Sequence, residues 1–346
     1  MRYGAHASNP LESLALALGR VPIPVLDALL PTLKARSILA AVELEIFDVL
    51  KDGPLSASEV ARRLSLDPEA TELLLRTLVA AEYLKQKEDA YRLTRQARGS
   101  LLRDAKHSLW AFTQWCGQLW GTIAQLESLV STGRGVDLHG TLHDPQSWAL
   151  YQRAMLEIAR FQAAGVARHI PLPPGARRLL DIGGSHGLFA AELVRRHPGL
   201  EAEVLELESA LEAARALARE EGIGALVKHR AGNLLSDSFG DRELTAVLLA
   251  NVLHHFGPEE NRDLLRRVHQ ALEPGGVVAI WEIDVPAAGA VPDMADLGAL
   301  FFRLTSTAKA FRAEDYAALL RGLGFASARV KRLATLPGNV LVLAVK

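Results

Sequence analysis

Residues 179–187 read Leu179-Leu180-Asp181-Ile182-Gly183-Gly184-Ser185-His186-Gly187, an apolar run that ends in an acid and breaks into a glycine-rich turn. A short apolar run of this kind is a buried strand, and the glycines let the backbone turn tightly and approach a ligand. The next residues, Leu188-Phe189-Ala190-Ala191-Glu192-Leu193-Val194-Arg195-Arg196, have helical spacing with basic side chains in the last turn. Strand, glycine loop and helix thus form one unit, and the helix start offers unpaired N–H groups beside the loop. Such a unit suits a nucleotide-like cofactor; alone it leaves nicotinamide-binding folds open.

Downstream, Ala202-Glu203-Val204-Leu205-Glu206-Leu207 reads as a second strand ending in an acid. An acid about 20 residues past such a loop accepts hydrogen bonds from ribose hydroxyls; Glu206 and Glu208 are both candidates. A further strand, Thr245 to Ala250, runs into Asn251-Val252-Leu253-His254-His255-Phe256. Ligands of open α/β sheets bind beyond the carboxyl ends of the strands, so the histidine pair stands where chemistry is expected. Imidazole, with a pKa near 6.5, can take a proton from an attacking hydroxyl. Adjacent histidines point in different directions and no Cys, Asp or Glu lies near at ligand spacing, so no metal is expected. Leu272-Glu273-Pro274-Gly275-Gly276 is a turn into the strand Val277 to Glu282, and Arg329–Leu333 with Val340–Val345 around Pro337-Gly338 forms a terminal hairpin.

Upstream, the stiff segment Pro171-Leu172-Pro173-Pro174-Gly175 marks a boundary, giving a domain over 171–346. Within 1–105, apolar spacing predicts a helix from Lys34 to Leu50, ended by Gly53-Pro54, and Val25 to Leu30 as a short helix. Ser56 with Glu59 is a capping box opening a second helix, and Pro68 to Tyr83 is a third. Tyr83-Leu84-Lys85 and Tyr91-Arg92-Leu93 flank a polar turn and make a hairpin. Helix, helix and hairpin outline a winged helix. Its recognition helix would carry Glu69, Glu72 and Glu82 against Arg76 alone, the wrong balance for a phosphate-lined groove, so the outline points to dimerisation. Residues 106–170 read as a helical connector rich in aromatic side chains, most of them core and some lining an apolar pocket.

The chain has 346 residues and a net charge of −1, which gives no bias toward nucleic acid or anionic membrane. Cys116 is the only cysteine, so no intramolecular disulfide can form. With no secretory leader in view, the cytoplasm is expected. No run approaches the roughly 20 apolar residues of a spanning helix.

The loop from Asp181 to Gly187 resembles motif I of class I S-adenosylmethionine (SAM) dependent methyltransferases, often D-x-G-G-G-x-G, with Ser185 in place of a glycine and His186 after it. The order Leu119-Trp120-Gly121, Ser131-Thr132-Gly133, Leu138-His139-Gly140, Asp144-Pro145 and Tyr151-Gln152-Arg153-Ala154-Met155 resembles the connecting region of one group of them. That group is the small-molecule O-methyltransferases typified by plant caffeate and isoflavone enzymes and by bacterial polyketide and phenazine tailoring enzymes. The resemblance runs from about residue 34 to the end of the chain.

It implies a winged-helix dimerisation domain, a Rossmann-like seven-stranded α/β domain whose last strand is antiparallel, SAM as cofactor, and a homodimer. It places Asp181, Gly183, Gly184, Ser185 and Glu206 at the cofactor, with the Ser185 hydroxyl facing it or a bridging water. Gly232-Asn233-Leu234 falls on the family's G-D-x segment, Asn233 meeting the adenine amino group and Leu234 covering the ring; Asn251 joins this side. Asn251 to Phe256 resembles V-L-H-D-W, which makes His254 the general base and puts His255 on the following acid; Glu282 is the acid that orients His254. Trp115, Trp120, Met155, Phe161, His255, Phe301 and Phe302 are expected to border the acceptor. The sequence departs at Ala310-Phe311, where many relatives read G-G-x-E-R-T and use that acid as a second histidine partner. The implied reaction is O-methylation of a hydroxyl on an aromatic or polyketide-like secondary metabolite. Methylation of nitrogen or carbon, SAM binding without methyl transfer, and a SAM-sensing DNA-binding regulator are the alternatives.

Overall fold

The computed structural model describes residues 7, 9–285, 294–306, 308, 311–336 and 338–346. Ala310 and Pro337 lie outside the described residues. The chain divides into two compact units, one through Trp120 and one from Gly121, a division inside the stretch 106–170.

In the first unit the helix Ile23–Glu43 runs through Pro31, so the short helix at Val25 is its first turns. The single helix expected from Lys34 to Leu50 is instead broken at Glu45, whose φ of 59° is left-handed; Ile46–Val49 is a separate turn. The break lets Ile46, Phe47 and Leu50 all enter the core beside Ala41 and Val42. Ser56 and Glu59 form the capping box, with Ser56 N–H donating to Glu59 Oε2 at 2.9 Å. The helix Pro68–Ala80 starts on an Asp67 cap and stops before Glu82, which is also left-handed. Strands β1 (Leu55–Ser56), β2 (Leu84–Lys87) and β3 (Ala90–Leu93) form an antiparallel sheet in the order β1-β3-β2. The sheet and helices bury Leu75, Leu78, Leu84 and Tyr91. The helices Pro10–Ala17 and Ile23–Glu43 bury no side chain before Ala41. Leu11, Leu14, Leu18, Val25, Leu29, Leu30 and Leu33 are exposed, Leu11 to 79%.

The second unit is built on seven strands: β4 (Arg178–Ile182), β5 (Glu201–Glu206), β6 (Val227–Ala231), β7 (Leu244–Ala250), β8 (Leu272–Ile283), β9 (Ser327–Arg332) and β10 (Asn339–Val345). Their order is β6-β5-β4-β7-β8-β10-β9, with β10 antiparallel to both neighbours and the inner strands parallel. Successive side chains of a strand point to opposite faces, and here both faces are covered, as a parallel sheet requires. Leu179, Leu248 and Trp281 pack under the helices Pro145–Ala167, Leu188–Arg196 and Glu208–Glu220; Leu180, Leu249 and Ile280 pack under Pro258–Ala271 and Ala313–Gly322. Among the described residues no helix is long and apolar enough to cross a membrane.

Candidate active site

The carboxyl ends of β4, β5, β7 and β8 carry the polar groups that the sequence singles out. After β4 the chain turns through Gly183, whose N–H donates to the Leu205 carbonyl at 2.8 Å. A Cβ on Gly184 would overlap the Asp181 carboxylate, so only glycine fits over that acid. Ser185 sits at φ 49°, a left-handed conformation that costs a non-glycine residue about 1–2 kcal/mol. Three groups hold it there. Its N–H donates to Glu206 Oε2 at 3.0 Å, its carbonyl faces His229 Nε2 at 2.9 Å, and next to it His186 is buried. His186 Nδ1 accepts from Leu188 N–H at 3.0 Å, so the proton is on Nε2, where the Met155 carbonyl draws it. Burial, with His229 and Arg160 adding, pushes the His186 pKa down to about 3.

Three buried polar atoms of this loop have no hydrogen-bond partner among the described residues: both oxygens of Asp181, and Ser185 Oγ. Burial first, then the neighbouring Glu206 charge, raises the Asp181 pKa to about 7; the Ala190 N–H opposes this weakly from outside hydrogen-bond geometry. Glu206 is raised by burial, against the N–H groups of Leu207 and Ser185. Glu208, the alternative ribose acid, opens the helix Glu208–Glu220 and is exposed. Buried polar groups are ordinarily paired. An acidic, partnerless pocket under a glycine turn fits a ligand that brings hydroxyls and a cationic group, as SAM does with its ribose, ammonium and sulfonium. The loop and Glu206 would hold it.

The Gly232-Asn233-Leu234 segment is close by, Gly232 N–H donating to the Glu206 carbonyl at 2.9 Å. Asn233 is exposed, and its Oδ1 already accepts from Leu235 N–H at 2.9 Å. Asp237, which the sequence did not single out, takes Asn233 N–H at 3.0 Å. Leu234 is partly buried against the core. Asn251, at φ 57°, donates its N–H to the Trp281 carbonyl and turns the chain sharply after β7.

That turn delivers the catalytic candidates. Glu282, 1% exposed at the end of β8, accepts from Val252 N–H at 2.9 Å and Leu253 N–H at 2.7 Å through one oxygen. Its other oxygen faces His254 Nδ1 at 2.8 Å. A carboxylate that accepts at both oxygens makes His254 a donor at Nδ1, which leaves the Nε2 lone pair free. Nε2 is buried and has no hydrogen-bond partner among the described residues. The His254 ring lies between Phe302 and His255, each with centroids 4.0 Å away, and Phe301 meets Phe302 edge-on.

The sequence reading did not assign His139 to this cluster, and it named Trp148 and Tyr151 only among the aromatic residues of the connector. His139 stacks on Trp148 and meets His255 edge-on at 4.5 Å; its Nε2 bonds the Tyr151 hydroxyl at 2.9 Å. His255 Nδ1 pairs with Ser306 Oγ at 3.0 Å. Residues 135–138 reach the site by pairing with the end of the helix Met294–Thr305, through Val136 N–H to the Leu304 carbonyl at 2.7 Å. Trp148 and Tyr151 sit three apart on the first turns of Pro145–Ala167, on one face. Burial holds His139 below its ordinary value, with His254 adding and Asp137 opposing. Burial, then His254 and His139, holds His255 well below the usual histidine range. Burial and the Glu206 charge raise Tyr151.

Phe302, Phe301 and His255 are thus brought to His254. Met155 is at the loop through its carbonyl, whereas Phe161 turns outward, 50% exposed. Trp115 and Trp120 belong to the first unit, Trp115 packed on Phe112 and Trp120 under the Arg36 guanidinium. No group of three or more His, Cys, Asp or Glu side chains among the described residues is placed to hold a metal ion.

A family model described as the O-methyltransferase domain matches residues 129–326, and one described as the O-methyltransferase dimerisation domain matches residues 26–102. The N,N-dimethyltransferase OxyT of Streptomyces rimosus is 30% identical over 90% of this chain and 93% of its own. The 3-hydroxy-5-methyl-1-naphthoate 3-O-methyltransferase of Streptomyces sahachiroi is 27% identical over 90% and 92%. The solved structure of human N-acetylserotonin methyltransferase in complex with SAM superposes with a TM-score of 0.81 at 21% identity, covering 99% of each chain.

Proposed function

This chain belongs to the O-methyltransferase family and is a SAM-dependent methyltransferase, and from that membership we propose that it methylates a hydroxyl of an aromatic or polyketide-like small molecule with His254 as general base. The observation that carries this reading is the partnerless Nε2 of a histidine whose Nδ1 is fixed on the buried Glu282. When bound, SAM supplies an electrophilic methyl group on its sulfonium sulfur. Glu282 holds the imidazole so that Nε2 accepts the proton of the acceptor hydroxyl, and the imidazolium so formed keeps the carboxylate as its partner. Phe302 and Phe301 exclude water and offer a flat acceptor apolar walls. His255, Ser306, His139 and Tyr151 complete the wall on the other side. Asp181, Gly183, Gly184, Ser185 and Glu206 hold the cofactor, with Gly232, Leu234 and Asn251 beside it.

A second reading is favoured by one comparison. OxyT carries its methyl groups to nitrogen, and a base at His254 would equally take a proton from an ammonium acceptor before attack. A screen of phenols, hydroxylated polycycles and amines with methyl-labelled SAM decides between them: a labelled O-methyl product supports the first reading, and an exclusively N- or C-methylated product replaces it. If the purified protein shows no saturable binding of S-adenosylhomocysteine (SAH) by calorimetry, both readings fail.

The dimerisation match and the exposed leucines of Pro10–Ala17 and Ile23–Glu43 support a homodimer formed through the N-terminal domain. Leu29→Asp with Leu33→Asp should lower the oligomer to a monomer in light scattering; an unchanged mass would place the interface elsewhere. We also propose the division into residues 1–105, 106–170 and 171–346, and a cytoplasmic location.

A further inference from the structure

The glycine loop holds a residue that no glycine needs. A glycine at 185 would take a φ of 49° without strain, yet this chain places a serine there and fixes it on three sides. Its N–H is bound by Glu206, its carbonyl by His229, and its successor is buried and locked between Leu188 N–H and the Met155 carbonyl. Only the hydroxyl is left over. Ser185 Oγ is buried with no hydrogen-bond partner among the described residues, and it stands beside Glu206 and above the equally partnerless Asp181. A strained conformation persists where its surroundings over-determine it, and what this fixation determines is the direction of one hydroxyl.

We infer that the Ser185 hydroxyl is a cofactor-contacting group, hydrogen-bonded to bound SAM or SAH, and that His229 is a positioning residue that holds Ser185 in the conformation required. The inference rests on the reading that this loop binds SAM. It assigns to residue 185 a side-chain contact that a glycine cannot make.

The test is calorimetry with SAH on the full chain. Ser185→Ala keeps the left-handed strain and removes only the hydroxyl; its SAH affinity should fall about three- to tenfold, the range of one neutral hydrogen bond. Ser185→Gly should also bind SAH less tightly, while its unliganded melting temperature stays at or above that of the parent because strain is relieved. This second variant decides the matter if Ser185→Ala fails to fold. His229→Leu should weaken SAH binding in the parent and leave it unchanged in the Ser185→Ala background, since it acts through the hydroxyl; equal weakening in both backgrounds would show a merely structural role. Affinity within twofold of the parent in both Ser185 variants overturns the inference. A parent protein that binds no SAH at all would instead remove the SAM reading.

Discussion

Asp181 at the end of β4 and Glu282 at the end of β8 are each 1% exposed, and they are provided for in opposite ways. Glu282 accepts two backbone N–H groups and faces an imidazole. Asp181 has no partner among the described residues, and its pKa is raised to about 7. A buried carboxylate satisfied by its own chain is a fixture: it sets the orientation of His254 whether or not a ligand is bound. One left without partners is completed by what binds. The two acids divide the labour of the site between geometry that is built in and geometry supplied by the cofactor.

The contrast can be broken first at the built-in end. His254→Ala should lower kcat by about 10² to 10⁴, the usual worth of a general base, with SAH affinity unchanged in calorimetry; full turnover would remove His254 from the mechanism. Glu282→Gln comes next. The amide can still accept from Val252 and Leu253, but its NH₂ then faces His254 Nδ1 and forces the other tautomer, which fills the Nε2 lone pair with a proton. A fall in kcat of about 10² at unaltered SAH affinity is expected, and a change confined to KM would count against the orienting role.

At the other end the effects are smaller and depend on pH. Asp181→Asn should weaken SAH binding by about tenfold at pH 8, the loss of one charge-assisted hydrogen bond. Because the ionised acid is the form that receives a cationic group, SAH affinity of the parent should rise as pH passes upward through about 7, and the variant should show a flat profile. Stability without ligand runs the other way. The folded-state pKa lies above the ordinary 3.8, so the contribution of Asp181 is fully present below that value and is lost as pH rises through about 7. The melting temperature of Asp181→Asn, measured against the parent, should therefore improve from pH 5 to pH 8. A constant difference across that range would mean that Asp181 is already paired or ionised in the free protein.

Much of this architecture was legible because it is local. The strand, glycine loop and helix at 179–196, the capping box at Ser56, the acid at Glu206 and the histidine at His254 are written in contiguous residues whose spacing has a physical meaning. The helix through Lys34 to Leu50 was not: apolar periodicity runs on through Glu45, and nothing in it signals the left-handed residue that divides it. His139 was missed for a different reason. It meets His255 only because residues 135–138 pair with the end of a helix far along the chain, and no pattern within one segment encodes that meeting. Asn233 was matched by position alone, whereas the structure shows an exposed side chain engaged with its own turn.

The register of the sheet adds one consequence for how the enzyme comes into being. Glu282 lies opposite Val340, and Asn339 Nδ2 donates to the Glu282 carbonyl at 3.3 Å. The strand that braces the catalytic acid on one side is therefore among the last pieces of chain to leave the ribosome. Until β10 inserts between β8 and β9, the cofactor loop can already be folded while the proton-accepting centre is still open on that side. A nascent or prematurely terminated chain would then capture SAM without using it, and translation itself becomes the step that switches methyl transfer on.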